Sequence, residues 1–380
     1  MIFLYLYRKG MRKLKPESTG NGGACLGSLI RGMLLLLAFG FLGVKAQADP
    51  INEYTTEKIG GVKQAILLRG ADTGNPVMLR IHGGPGYPYY PYLPEEGKLK
   101  DLEDHFTMVY WEQRGTGASF SHKVNGSQMN IDRFVEDAHE VIGYVRKRLN
   151  VHAVYVWGHS WGSNIGVLLA ARHPEDIIAY IGTGQSVNPL ENERSCYSFA
   201  LEKVREENNA RGIRELSKID TANYRLKDAL TVRKYLYSYG AIEFANGEER
   251  SYVDDNMLRR IWHTRQYNFG NKLNIIFHPY YSARKLWENM KEINLCREAE
   301  EIDVPVYFFL GRHDRIVSSA IAADYFGKLE DPAGKHLVWF EESAHRPHSE
   351  EPEKFFNLLV HTVLPETTAP VNESTVSEKN

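Results

Sequence analysis

The sequence predicts an α/β fold: a mostly parallel sheet flanked by helices and interrupted by a helical insertion. Two observations carry this. Short apolar strands alternate with helical stretches over about 54–185 and again over 301–364. Between them, 186–300 is rich in Glu, Arg, Lys, Asn and Tyr, with helical spacing but no clear buried strand.

Residues 57–68 read as two strands joined at Gly60-Gly61. Val77–Ile81 and 106–111 are apolar runs of strand length. Ile131, Phe134, Val135, Ala138, Ile142, Val145 and Leu149 then recur at helical spacing, with Asn130 as N-cap. Strand 154–157, a helix through 165–171 and strand 177–181 complete the first half. After the insertion come strand 306–310, a mostly helical 316–329, strand 337–340 and helix 352–363. Such runs, apolar on both faces, belong to a parallel sheet covered on both sides. The tail 365–380 is Thr, Ser, Glu, Asn and Pro and is expected to be disordered.

The chain has 380 residues, 43% hydrophobic and 25% charged, which excludes wholesale disorder. Forty-six Lys and Arg against 48 Asp and Glu leave no cationic excess for a nucleic acid. Three cysteines exclude a disulfide scaffold, and no Cys/His group has zinc-finger spacing.

Residues 1–48 differ from the rest. Seven cations and one acid, Glu17, accompany a twelve-residue run, 33–44, that is almost wholly apolar and precedes Ala46-Gln47-Ala48. That order is the pattern of a secretory signal peptide. As a helix the run would span about 18 Å, short of the ~30 Å hydrocarbon core. Export to a periplasm or beyond the cell is therefore expected, and an uncleaved anchor less so. The residues before Met11 are unlike a signal, which points to Met11 as the start. Residues 49–380 would carry 39 cations against 47 acids, a net of −8. They keep only Cys196 and Cys296, whose pairing stays open.

The most informative stretch is Val156-Trp-Gly158-His159-Ser160-Trp161-Gly162, G-x-S-x-G between a predicted strand and a predicted helix. A serine on so sharp a turn has strained backbone angles, and the flanking glycines remove side chains that would collide. Ser160 is thereby lifted to the carboxyl end of the sheet, at a helix N-terminus that favours negative charge.

A serine hydroxyl is a weak nucleophile and needs a base that is itself held by an acid. Asp314, in Gly311-Arg-His-Asp314, follows the strand ending at Leu310 and lies at a strand's carboxyl end. Asp303 precedes that strand and belongs at the opposite edge. His345, five residues past Phe340, is the preferred base; His348, at the entry to the final helix, is the lesser alternative. His336 precedes its strand and reads as a surface residue. An oxyanion hole needs backbone N–H donors aimed at the developing charge. Trp161 supplies one, and the loop His82-Gly-Gly-Pro-Gly86 the other, with Gly84 favoured and Gly83 the alternative.

These residues resemble the α/β-hydrolase superfamily and, within it, the proline iminopeptidase family of serine aminopeptidases. The likeness rests on His82-Gly-Gly-Pro-Gly86, on Gln113-Arg-Gly-Thr-Gly-Ala-Ser119 and on Ser160-Trp-Gly162, and covers about 54–185 and 300–364. Glu112 stands where the family pattern has Asp, and His159 where members often have Gly. The resemblance implies an α/β-hydrolase fold with a helical cap at 186–300 and a triad of Ser160, Asp314 and His345. It implies that Arg114 braces the loops around the site, although a structural ion pair is the plainer reading. The family's cap segment E-N-H-Y-F, which helps to hold a substrate's amino terminus, is absent. Glu191, Glu193, Glu202, Glu206 and Glu207 lie in the insertion, and Trp262, Trp287 and its tyrosines are available to line a pocket, but nothing selects among them.

The expected activity is that of an exported serine hydrolase acting through an acyl-enzyme on short peptides or aminoacyl amides. A carboxylesterase or lactonase is the first alternative, and a non-catalytic binding protein the second. No metal or organic cofactor, no nucleic acid and, once the signal is cleaved, no stable membrane partner is expected. Asn125-Gly-Ser and Asn372-Glu-Ser fit glycosylation sequons, a pattern that is common by chance.

Overall fold

The computed structural model describes residues 48–245, 248–250, 256–278 and 280–368. They belong to one compact unit, Ala48–Asn380. The predicted signal, apart from Ala48, and positions 369–380 lie outside the described residues.

The main sheet has eight strands: β1 (Ile51–Ile59), β2 (Val62–Gly70), β3 (Val77–Ile81), β4 (Thr107–Glu112), β5 (Val154–His159), β6 (Ile177–Thr183), and, after the insertion's short pair β7 (Glu243–Ala245) and β8 (Glu248–Arg250), β9 (Val306–Gly311) and β10 (Lys335–Phe340). Their order is β1-β2-β4-β3-β5-β6-β9-β10. β1 pairs with β2, and β2 with β4, antiparallel; every other pairing is parallel. All five residues of β3 and all six of β4 and β9 are buried, which is why these strands read as unbroken apolar runs.

Helices cover both faces. The Ile131–Leu149 helix buries Ile131, Phe134, Val135, Ala138, Val141, Ile142 and Val145, a stripe at 3–4-residue spacing. Asn130 caps it by accepting the Arg133 amide at 2.9 Å, and Asn150 ends it at φ 55°. This stripe packs with the Trp161–Arg172 helix and the apolar faces of β3 and β5 in one core. The opposite core joins Met78, Tyr110, Trp157 and Phe309 to Phe355, Phe356 and Leu359 of the C-terminal helix.

The insertion is helical as expected: Pro189–Glu206, Ala210–Leu216, Leu226–Ser238, Met257–His263, Phe269–Phe277 and Tyr281–Glu292. It has a small core of its own, including Cys196, Val204, Leu216, Tyr224, Val232, Leu236 and Trp287. It also contains an unexpected antiparallel pair, β7 (Glu243–Ala245) and β8 (Glu248–Arg250). Three-residue strands are too short to leave a period-2 pattern. His336 lies within β10 rather than before it, and it is exposed as expected.

The C-terminus corrects one expectation. The final helix runs Pro352–Leu358, passes through a π-turn at Leu359–Val363 and continues as Leu364–Thr368. Residues 365–368, read as disordered, are therefore helical. The reason is tertiary: Tyr307 of β9 donates to Glu366 at 2.7 Å, and the hydroxyls of Tyr155 of β5 and Thr367 pair at 2.6 Å. Cys196 is buried, Cys296 half-buried, and both are free thiols.

Candidate active site

Ser160 joins β5 to the Trp161–Arg172 helix at φ 54° and ψ −123°, a conformation that side chains rarely adopt. Its amide donates to Thr183 O of β6 at 3.0 Å, and its carbonyl accepts the Ser163 amide at 2.9 Å. A Cβ on Gly162 would collide with the carbonyl oxygens of Ile81 and His82, so the helix can start this close to β3 only with glycine there. Gly83 passes directly over the serine: a Cβ on it would lie 3.1 Å from Ser160 Cβ.

Asp314 and His345 are brought together from the ends of β9 and β10. His345 Nδ1 lies 2.8 Å from Asp314 Oδ2, and both side chains are almost fully buried. A carboxylate only accepts, so Nδ1 carries the proton and Nε2 is left with its lone pair. The other carboxylate oxygen of Asp314 accepts the Ile316 and Val317 amides, each at 2.9 Å, which fixes the group's rotation. The His345 ring packs 4.9 Å from that of His159, the neighbour of Ser160. Asp303 is exposed and precedes β9.

The glycine loop is braced by residues that the motif reading left without a role. His82 Nδ1 donates to Gly83 O at 2.7 Å, and its Nε2 accepts the Gln113 amide at 3.2 Å. Burial drives the His82 pKa down to about 4, so the ring is neutral. Gln113 donates to His82 O at 2.8 Å and accepts from Trp161 Nε1 at 2.9 Å. One amide thus ties the loop to the first residue after Ser160. The Q-R-G-T-G motif was legible as a motif, but nothing local indicates its partners.

Arg114 is a structural ion pair, the plainer of its two readings. It is fully buried and bonds both oxygens of Asp137, at 2.5 and 2.6 Å, as well as Gly60 O at 3.3 Å. Glu112, the departure from the family pattern, is also fully buried. It accepts the amides of Tyr89 at 2.9 Å and Ala118 at 2.7 Å, and the hydroxyl of Tyr267 in the insertion. Desolvation raises its pKa despite these donors.

His348, the lesser candidate base, does not join Asp314. It is buried behind His345, with Nε2 3.4 Å from Arg80, whose guanidinium lies over Trp157. Burial, then the Arg80 charge, hold its pKa well below the usual histidine range. Of the insertion's glutamates, Glu191, Glu202, Glu206 and Glu207 are exposed. Glu193 is buried and paired with Arg233. Trp287 is in the cap core, but Trp262 is 52% exposed.

A family model described as "alpha/beta hydrolase fold" matches residues 76–352. The Bacillus subtilis (strain 168) protein named "Probable aminopeptidase YbaC" is 31% identical over 303 residues, covering 79% of this chain and 93% of that protein. "Proline iminopeptidase" of Heyndrickxia coagulans is 25% identical over 292 residues, covering 75% and 89%. The crystal structure of a proline iminopeptidase-related protein from Thermus thermophilus superposes with a TM-score of 0.56 over 83% of this chain and 99% of that one, at 18% identity, a likeness of fold. On the family model and the extent of the first match, the chain belongs to the α/β-hydrolase fold family and is a hydrolase related to proteins named aminopeptidase and proline iminopeptidase.

Proposed function

We propose that the chain is an exported serine aminopeptidase that cleaves short peptides or aminoacyl amides through an acyl-enzyme on Ser160. The observation that carries this is the buried Asp314–His345 pair beside a strained serine elbow. His345 Nε2 takes the hydroxyl proton as Ser160 Oγ attacks the carbonyl carbon. The oxyanion is held by the amides of Trp161 and Gly84. The imidazolium, oriented by Asp314, gives its proton to the leaving amine and the C–N bond breaks. Water then attacks the acyl-serine, its proton passing to His345, and Ser160 is regenerated. The names of the relatives favour an amine-terminated substrate, and export rests on the sequence pattern of residues 1–48.

One observation favours a second reading, a carboxylesterase. Glu193, the insertion's buried glutamate among the described residues, is paired with Arg233 and so is not open to a substrate ammonium group. A panel on residues 48–380 decides between them. Aminoacyl amides of proline, alanine and leucine would be compared with their N-acetylated forms and with short-chain esters. Cleavage of the free-amine amides alone supports the aminopeptidase; turnover of esters alone supports the esterase and overturns the first reading.

A further inference from the structure

The insertion has two unlike sides between residues 256 and 287. Its inner side is pinned to the core around the site. Tyr267 bonds Glu112, Ser282 Oγ donates to Gly115 O at 3.0 Å, and His278 stacks on Phe120 at 5.6 Å. Its outer side is apolar and bare. Among the described residues ten large hydrophobics are exposed, and six fall here: Leu258, Trp262, Phe269, Ile276, Phe277 and Tyr280. Phe269 and Phe277 are 65% and 70% exposed, and the Phe269–Phe277 helix has no buried residue. Trp262 and Phe269 stand edge to face, 6.2 Å between centroids, with the Lys272 ammonium over the indole.

The charge on this segment is one-sided. Arg259, Arg260, Arg265, Lys272, Arg284 and Lys285 lie between 256 and 287, with no Asp or Glu among them. None of the six forms an ion pair among the described residues. The expected mature chain is net acidic, so this cationic excess is local to 256–287. Aromatic and aliphatic side chains interleaved with cations are the composition that seats at a membrane–water interface.

We propose that this face docks on an anionic phospholipid bilayer, with the aromatics entering the headgroup boundary and the cations meeting lipid phosphates. A second copy of the chain fits less well. A two-fold contact sets a patch against itself, and here that would oppose like charges. No helix among the described residues is long and apolar enough to cross a membrane; in the proposed mode these residues rest on the surface through this face. This revises the expectation of no membrane partner. The inner side of the same segment bonds Gly115 and Glu112, so docking would hold those loops close to the bilayer.

The test uses residues 48–380, which form a compact unit without the apolar N-terminal run. Sedimentation is measured with vesicles of phosphatidylcholine alone and of phosphatidylcholine mixed with phosphatidylglycerol, at low and high salt. The chain is expected to bind the anionic vesicles, to be released by salt, and to show a blue shift in tryptophan emission that Trp262→Phe abolishes. Trp262→Ser/Phe269→Ser/Phe277→Ser should weaken binding roughly tenfold or more. Arg259→Gln/Arg265→Gln should weaken it about fivefold per charge and remove the preference for phosphatidylglycerol. Both variants should turn over a small soluble substrate as the parent does, which shows them folded. The proposal is overturned if neither vesicle is bound or if the serine variant binds unchanged. It is also overturned if the parent self-associates without lipid and the serine variant does not. No outcome depends on which substrate the enzyme cleaves.

Discussion

Glu350 holds the His345 loop through Ala344: its Oε2 accepts the Ala344 amide at 2.9 Å, one residue before the histidine. The same carboxylate accepts the amides of Phe244 at 2.8 Å and Arg346 at 2.7 Å. A single side chain therefore fastens the histidine loop and the cap strand β7 together. The backbone adds to this, with His345 N donating to Ile242 O at 3.3 Å and Arg315 N to Ala241 O at 3.2 Å.

Replacing Glu350 by Ala leaves three amides without their acceptor and should cost about 3 kcal/mol of stability. Turnover should fall more than KM rises, since the histidine is displaced while the pocket remains. Glu350→Gln keeps one acceptor oxygen and should lie between the two. Denaturant unfolding with kcat and KM for each variant checks the order; equal kcat in all three would show that the contact does not position His345.

Asp314→Asn separates fold from chemistry. The amide oxygen can still accept from Ile316 and Val317, which turns the NH2 toward His345 Nδ1. The imidazole must then carry its proton on Nε2 and cannot serve as base. We expect kcat to drop by about 10⁴ with little change in Tm. A pH–rate profile read alongside thermal unfolding tests both halves.

Much of this site was legible in the sequence, for a physical reason. The elbow is a local motif, and the apolar runs on either side fix which end of the sheet it occupies. The same logic placed Asp314 after β9 and His345 after β10. What stayed hidden depends on distant partners. Arg233 lies forty residues from Glu193, and Tyr267 is 155 residues from Glu112. Residues 365–368 read as a polar tail because the tyrosines that hold them belong to β5 and β9. Trp262 stayed one of several residues available to line a pocket, since an apolar side chain does not announce which side of a cap helix it occupies.

The Arg114–Asp137 pair should matter to stability rather than chemistry. Both side chains are fully buried, and Arg133 and Gln64 also bond Asp137, at 3.0 and 2.7 Å. Arg114→Met leaves the buried carboxylate with only Arg133 and Gln64 as partners and should destabilise the fold by about 3 kcal/mol. Below its lowered Tm, the variant should keep kcat within a few-fold of the parent. Urea denaturation beside steady-state kinetics distinguishes this from a direct role.

His82 gives a pH signature. Its folded pKa, about 4, lies below the usual 6.5, so between these values the unfolded chain binds a proton that the folded one does not. The stability it contributes is full above pH 6.5 and is lost as pH falls toward 4. His82→Asn removes this proton. The parent should lose ~1.4 kcal/mol per pH unit more than the variant across that window. Unfolding free energies measured at several pH values would show the two slopes; parallel slopes contradict the neutral, buried assignment.

The central claim is that Ser160 is the nucleophile, and covalent labelling addresses it most directly. Residues 48–380 treated with a fluorophosphonate should gain one adduct, located on Ser160 by peptide mass, with activity lost in proportion. Ser160→Ala should fold, take up no label and show no turnover. An adduct on another residue, or turnover surviving in a clean Ser160→Ala preparation, would contradict the account.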